Sequence, residues 1–377
     1  MPFKKQYDSL SSEDLFRKFH IDLPLLTAFL ILFSISLIAI YSASNSDINA
    51  VIDQSIRIGI SLAAMILIAQ MSPLDYERIA PWLYSLCFIL LGLVLILGET
   101  RNGATRWLNI GISFQPSELI KVFVIVSLAD YCCRSSVDIR NFRAGIVLPS
   151  VVLGVIALLL LREPDYGCTA VILVTVLGML FLSGIRLIYF CGAFIAVLVA
   201  MSVLIFFNPN RLQRVLCFLD PFAEPYGCGY QLVQALIALG SGEWSGVGLG
   251  ASVQKLFYLP EASNDFLVAV IGEELGLIGI AVLIVLYASL CWRAFRIADR
   301  AGRLGQMFQA RVAQGIGLLL TLQVMVNLAV NLGVIPTKGL TLPLMSYGGS
   351  SMISCCFAIG LLLAVDRSSQ RALGTKR

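Results

Sequence analysis

Ten apolar runs recur along this chain, at about 23–41, 55–71, 81–98, 115–133, 145–161, 167–183, 188–207, 264–290, 308–330 and 343–365. Each is near the roughly 17–25 residues that a helix needs to cross bilayer hydrocarbon. Hydrophobic residues make up 58% of the 377 and charged residues only 13%, with a mean hydropathy of +0.87. A soluble domain carries about 25% charged residues. The expected fold class is therefore all-α: a polytopic integral membrane protein of ten transmembrane helices with one large extracytoplasmic loop. The first run is of spanning length and is followed by no small-residue cleavage site, so it stays as a first membrane helix. The expected organisation is a cytoplasmic tail over 1–22, a membrane domain over 23–366 and a second cytoplasmic tail over 367–377.

The one long polar interval runs from Asn208 to Asp265 and contains the loop 208–263. It is too long and too ordered in composition for a passive linker. Turn glycines and prolines surround two short apolar periodic pieces, Leu232 to Leu239 and Val253 to Phe257, and the interval closes on an acidic pair, Glu261 and Asp265. Such a loop is the expected place of work. Most of the ten cysteines lie in or beside apolar helices, where a thiol behaves as a small hydrophobe. Cys217 and Cys228 share the loop and are able to bridge, although free thiols are the expectation. Neither they nor His20 form a zinc-like spacing.

Lysine and arginine gather on the faces that share a side with the N-terminus, including Arg140, Arg143, Arg293, Arg296, Arg300 and Arg303. The positive-inside rule then puts both termini in the cytoplasm and the 208–263 loop outside. Arg101, Arg106, Trp107, Arg162, Asp165, Asp265 and Lys338 fall at the outer face. A net charge of +4 is too small to argue for a nucleic-acid partner. No P-loop or dinucleotide glycine pattern is present, so the energy for any chemistry has to come from the substrate or a gradient.

Charges beside apolar runs are costly unless paired, which marks them as functional candidates. The fourth span opens Phe114-Gln-Pro-Ser-Glu-Leu-Ile-Lys121. Glu118 and Lys121 share a helix face, either as a structural ion pair or as two groups aimed into a cavity. The eighth span begins at Asn264, where Ser263 or Asn264 can cap the helix and place Asp265 in its first turn. Glu273 and Glu274 lie more than two turns deeper. Gly348, Gly349, Ser350 and Ser351 open the last span and allow close packing or a broken helix.

These residues resemble the SEDS family of bacterial shape, elongation, division and sporulation proteins, and the likeness runs from about Leu23 to Asp366. Its motifs are Gly103 to Trp107 with Phe114 to Glu118 and Lys121, Pro164 to Gly167, Asp220 to Gly227, Gly229-Tyr-Gln231, Gly246 to Gly250, Leu259-Pro-Glu261 with Asp265-Phe266, and Leu342 to Ser351. The Asp220 to Gly227, Ser252 to Pro260 and Pro336 to Pro343 runs are similar to division-type members. Ser263-Asn264, Cys228 and Glu163 depart from the family pattern. The resemblance implies an inner-membrane peptidoglycan glycosyltransferase at the division septum. Such a protein polymerises lipid II, an undecaprenyl-pyrophosphate disaccharide-peptide, at the outer face. It works with a class B penicillin-binding protein of the FtsI type and other divisome membrane proteins.

The resemblance also implies site residues. Asp265 corresponds to the essential loop aspartate, and Glu118 and Lys121 to the acid–base pair of the fourth helix. Building β-1,4 linkages from an α-phosphorylated donor is an inversion, hence one displacement with a general base, and Asp265 is the expected base. Lys121, Arg106 and Lys338 are the expected cations at the leaving diphosphate, where a divalent cation, Mg or Mn, is another source of charge. Glu118 completes the expected substrate-binding set, with Trp107, Gln115, Ser117, Glu261, Glu274 and Ser350 in support. The alternatives are a lipid II flippase using Glu118, Lys121, Glu273 and Glu274, and a non-catalytic divisome scaffold.

Overall fold

The computed structural model describes residues 22–44, 47–101, 104–109, 113–134, 137–256 and 258–374. The expected N-terminal tail before Asp22, with His20, and the motif residue Gly103 lie outside the described residues, as do Phe257 and the last three positions.

Helices follow the apolar runs: α1 Leu23–Ala43, α2 Ile48–Gln70 and α3 Pro73–Leu97. Then comes a small antiparallel sheet in the order β1-β2-β3, with β1 Glu99–Arg101, β2 Ala104–Asn109 and β3 Ser113–Phe114. This is the one departure from an all-α chain among the described residues. After it come α4 Pro116–Cys133, a π-helical turn Arg143–Val147 leading into α5 Leu148–Arg162, α6 Tyr166–Leu182 and α7 Leu187–Phe206. The loop contains α8 Pro209–Leu219 and α9 Tyr230–Gly242, and the chain ends in α10 Leu267–Arg303, α11 Met307–Asn331 and α12 Gly349–Gly374. Among the described residues eight helices are long and apolar enough to cross a membrane, those of α4 and α6 not being counted among them.

Local signals set several starts. Asp22 accepts from the Leu25 amide at the head of α1, Ser72 and Asp75 form a capping box on α3, and Asp165 accepts from the Cys168 amide at the head of α6. Prolines stand in the first turns of α1, α3, α4, α5 and α8, where a missing N–H leaves nothing unpaired.

Packing sorts the helices by depth. α4 is buried around nearly its whole circumference, as a helix apolar on every side should be, whereas α7 buries no residue. α12 lies along α2 and α10 along α11. Ion pairs onto buried aspartates lock one end of the bundle: Arg293 with Asp22, and Arg300 with Asp366. The start of α1 and the far half of α12 therefore share that end.

Four expectations are corrected. The last helix begins at Gly349 rather than 343 and continues to Gly374, because Leu342 to Ser346 is held in turns by the Ser346 side chain. The eighth helix begins at Leu267 after Phe266 with no side-chain cap, so Asp265 lies before the helix and not in its first turn. Its backbone N–H instead closes a turn onto the Glu261 carbonyl, 3.1 Å away. Cys217 and Cys228 are joined as a disulfide. Of the two periodic loop pieces, Leu232 to Leu239 is helical within α9, while the described part of Val253 to Phe257 is a run of turns.

α10 is also two helices joined at a kink. Gly276 has φ 65° and ψ −162°, a region open in practice only to glycine. Loop residues 243–248 pass against this break, with Leu277 and Ile278 donating to the carbonyls of Glu243 and Trp244 and Val247 and Gly248 donating to those of Glu273 and Glu274. A Cβ on Gly276 would stand 2.5 Å from the Gly246 nitrogen. Gly276→Ala should therefore destabilise the protein by at least about 1–3 kcal/mol, read as a lower thermal midpoint of the detergent-solubilised chain. An unchanged midpoint would show that the loop is not seated on the kink.

Candidate active site

Asp265 is held by its backbone. Its carbonyl accepts the side-chain amides of Asn327 at 3.2 Å and Asn331 at 3.0 Å, both on α11. The Asn327 amide also reaches the Leu340 carbonyl at 2.7 Å, and Asn331 accepts from the Ala269 amide at 3.1 Å. The segment before α12 closes over the same turn, with the Tyr347 amide on the Ser263 carbonyl and the Ser346 hydroxyl on the Asn264 carbonyl. This brings Gly339 beside the Asp265 carboxylate, an oxygen of which lies 3.3 Å from where a Gly339 Cβ would be. Lys338, next in the chain, is half-buried and lines a narrow crevice with Gly167 and Leu340 at the head of α6.

Burial pushes the Asp265 carboxyl up to about 7, Glu261 adding to the shift and Arg106 opposing it. The same desolvation, with Arg211 adding, pulls Lys338 below the ordinary lysine value.

Arg106 reaches this place from β2. Its Nε donates to the Glu163 carbonyl at 3.1 Å, an Nη donates to the Pro164 carbonyl, and the other Nη lies 3.9 Å from Asp165. Asp165 also accepts from the Ser117 hydroxyl at 3.2 Å and from the Gln115 side-chain amide at 3.4 Å, and the Gln115 backbone N–H donates to the Ser350 hydroxyl at 2.8 Å. Sheet, α4, α6 and α12 are thus joined through Gln115, Ser117 and Ser350. Glu163 is fully buried and neither carboxyl oxygen has a hydrogen-bond partner among the described residues. Burial pushes it up to about 8, with Asp165 adding and Arg106 opposing.

The remaining expected residues lie elsewhere. Lys121 and Glu118 form an interior ion pair at 2.8 Å, and the Glu118 carbonyl accepts from Ser354 of α12. No contact joins that pair to Asp265 among the described residues. Glu274 belongs to a second buried network, where Lys255 Nζ reaches Glu274 at 3.0 Å, Ser42 at 2.8 Å and the Gly250 carbonyl at 2.7 Å. Glu273 accepts there from Ser252 and from the Val253 amide. This network pins the loop to the end of α1. An apolar cavity of about 330 Å³ opens beside the kink, lined by Ile35, Ile271, Leu275 and Val282. Trp107 is half-buried on β2 next to Arg106.

Reading the sequence for charge missed four participants. Asn327 and Asn331 are neutral, and only their spacing of four within an apolar helix signals a shared buried face. Arg211 sits in α8, an amphipathic helix inside an interval whose polar composition predicts only loop. Glu163 passed only as a departure from a motif. The one cluster of three metal-type ligands among the described residues is Cys217, Glu224 and Cys228, and its sulfurs are already bonded to each other. Asp265 and Glu261 offer oxygen donors of the kind a hard cation takes, but no third His, Cys, Asp or Glu ligand groups with them among the described residues.

Residues 17–371 match the family model for cell cycle proteins that covers FtsW, RodA and SpoVE. A probable peptidoglycan glycosyltransferase FtsW from Allochromatium vinosum is 45% identical over 92% of this chain and 90% of its own length. One from Methylococcus capsulatus is 52% identical over 77% and 73%. Among solved structures, a chain of a peptidoglycan synthase complex that coordinates polymerization and crosslinking is similar at 30% identity and a TM-score of 0.75, over 93% of this chain and 98% of that one. The rod shape determining protein RodA of Thermus thermophilus is similar at 27% identity and a TM-score of 0.70, over 92% and 97%. Matched along nearly its whole length in sequence and in fold, the chain belongs to the FtsW, RodA and SpoVE family of cell cycle proteins.

Proposed function

We infer that the protein is a peptidoglycan glycosyltransferase that polymerises lipid II into β-1,4 glycan strands for septal cell-wall synthesis. The observation that carries this reading is the family match over residues 17–371, with relatives of 45% and 52% identity described as probable peptidoglycan glycosyltransferases. The polar site around Asp265 supports it. Ionisable groups gather there at one end of the bundle while Glu118 and Lys121 neutralise each other in the interior, an arrangement that favours polymerisation over lipid II transport.

In this reading α4 and α6 join the eight longer helices to give ten crossings. Both termini face the cytoplasm, and the 208–263 loop faces the oxidising outer side where a disulfide persists. The domain plan is the tail 1–22, the membrane domain 23–366 and the tail 367–377. The solved synthase complex supports a crosslinking partner, here a class B penicillin-binding protein at the septum.

Asp265 is the proposed catalytic base. It takes the proton of the acceptor 4-hydroxyl as that oxygen bonds to C1 of the donor sugar. The C1–O bond to the diphosphate breaks, its electron pair leaves with the diphosphate, and C1 inverts. A carboxyl held near 7 is suited to this, since a base works best with its pKa near the operating pH. Arg106 and Lys338 offset the charge that develops on the leaving group. Gln115, Ser117 and Ser350 hold Arg106's partner Asp165, while Glu118 and Lys121 position α4. Mg or Mn, if held beside Glu261, would supply further neutralisation of the diphosphate.

Asp265→Asn should cut lipid II polymerisation by about 10²–10⁴-fold in the purified protein with its crosslinking partner still bound; polymer at the wild-type rate would refute the base. For the unaltered protein kcat/KM should rise with pH through about 7 and level off above it, because only the ionised carboxylate accepts a proton. Glu261→Gln should move that limb to lower pH by removing a negative neighbour, and an unmoved limb would assign the titration to another group.

A further inference from the structure

Arg211 stands at the same site, carried there by the amphipathic loop helix α8. Its guanidinium lies over the Tyr166 ring, 3.2 Å from the centroid, and an Nη donates to the Pro164 carbonyl at 3.1 Å. That carbonyl already accepts Arg106. Two guanidinium groups with ten N–H donors between them thus converge on one neutral oxygen, and no carboxylate salt bridge reaches Arg211 among the described residues. Its Nε is buried and has no hydrogen-bond partner there. Lys338 borders the same head of α6 and is near enough that Arg211 lowers its proton affinity. The adjoining Glu163 is buried with both carboxyl oxygens unpartnered, which leaves Asp165 as the paired acid of this corner. Like charges held this close repel unless an anion lies between them.

We propose that Arg211 is a substrate-binding residue which, with Arg106, grips the diphosphate of a polyprenyl-linked sugar at the head of α6. The identity of the anion rests on the glycosyltransferase reading. A diphosphate suits the place because it offers several acceptors to two forked donors, and arginine pairs with phosphate in two parallel bonds where lysine cannot. The large loop would then close on its substrate through α8, with Tyr166 keeping the guanidinium plane aligned.

The test uses the full chain with its crosslinking partner in nanodiscs and measures two things: direct binding of radiolabelled polyprenyl diphosphate, and the lipid II KM. Arg211→Ala should weaken diphosphate binding, raise KM and lower kcat/KM by roughly tenfold or more, with polyprenyl monophosphate binding affected less. Arg211→Lys should fall between, and it serves as the readout if the alanine protein shows a lowered thermal midpoint. Unchanged diphosphate binding in both folded variants overturns the proposal. So does an effect confined to the dependence on phosphatidylglycerol content, which would make Arg211 a contact for bulk lipid headgroups, or one reproduced by inorganic pyrophosphate without the prenyl chain, which would make it a site for free anion. Arg211-dependent binding by a protein that forms no glycan would overturn the polymerase reading while leaving the anion site standing.

Discussion

The amides of Asn327 and Asn331 are the contact on which the site depends. An amide side chain buried among apolar helices costs free energy unless it is hydrogen-bonded, and here the bonding goes to loop backbone and to the first turn of α10. The carbonyl of Asp265, the carbonyl of Leu340 and the amide of Ala269 are all held by these two residues. Three separate stretches, the end of the large loop, the first turn of α10 and the segment before α12, are thereby fixed to one rigid helix. A reactive side chain on a loop is placed only as well as its support, and Asp265 takes its support from α11.

The two ends of the bundle treat charge in opposite ways. At the end shared by the start of α1 and the far half of α12, Arg293 meets Asp22 and Arg300 meets Asp366, so each ion is matched. At the other end Arg106 and Arg211 share a carbonyl, Glu163 is buried without a hydrogen bond, and desolvation raises Asp265. Unmatched groups are tolerated where a ligand completes them and where shifted proton affinities serve a reaction. The polymerase reading gives three of these groups a use: Asp265 as base for the acceptor hydroxyl, and Arg106 and Arg211 as cations for the diphosphate.

The large loop is bound to the bundle rather than laid over it. Lys255 and Glu274 form a buried pair with Ser42, and the glycines at 246 and 276 let two backbones pass at a distance that a side chain would forbid. α8, closed by the Cys217–Cys228 bond, is the part of the loop that carries a charge into the site. The loop supplies Arg211 and Asp265, and the bundle holds them through Pro164, Tyr166, Asn327 and Asn331.

All ten apolar runs became helices because length and hydropathy leave a chain in hydrocarbon no other way to pair its backbone. The Glu118–Lys121 pair was legible from its spacing of three, and Asp265, Arg106 and Lys338 from motif and position. Their neighbours were not. Ser263 and Asn264 carry capping side chains and predict a helix that takes in Asp265, yet tertiary hydrogen bonds from α11 hold that turn outside the helix. Arg211, Glu163 and the two asparagines come from segments far apart in the chain, and so does the loop's passage across the Gly276 kink. Membrane class, the spanning helices and the family follow from local pattern and were legible in the sequence. The tertiary structure alone decided which charges meet and which remain unmatched, because electrostatic and hydrogen-bond energies depend on distances in space that chain spacing does not encode.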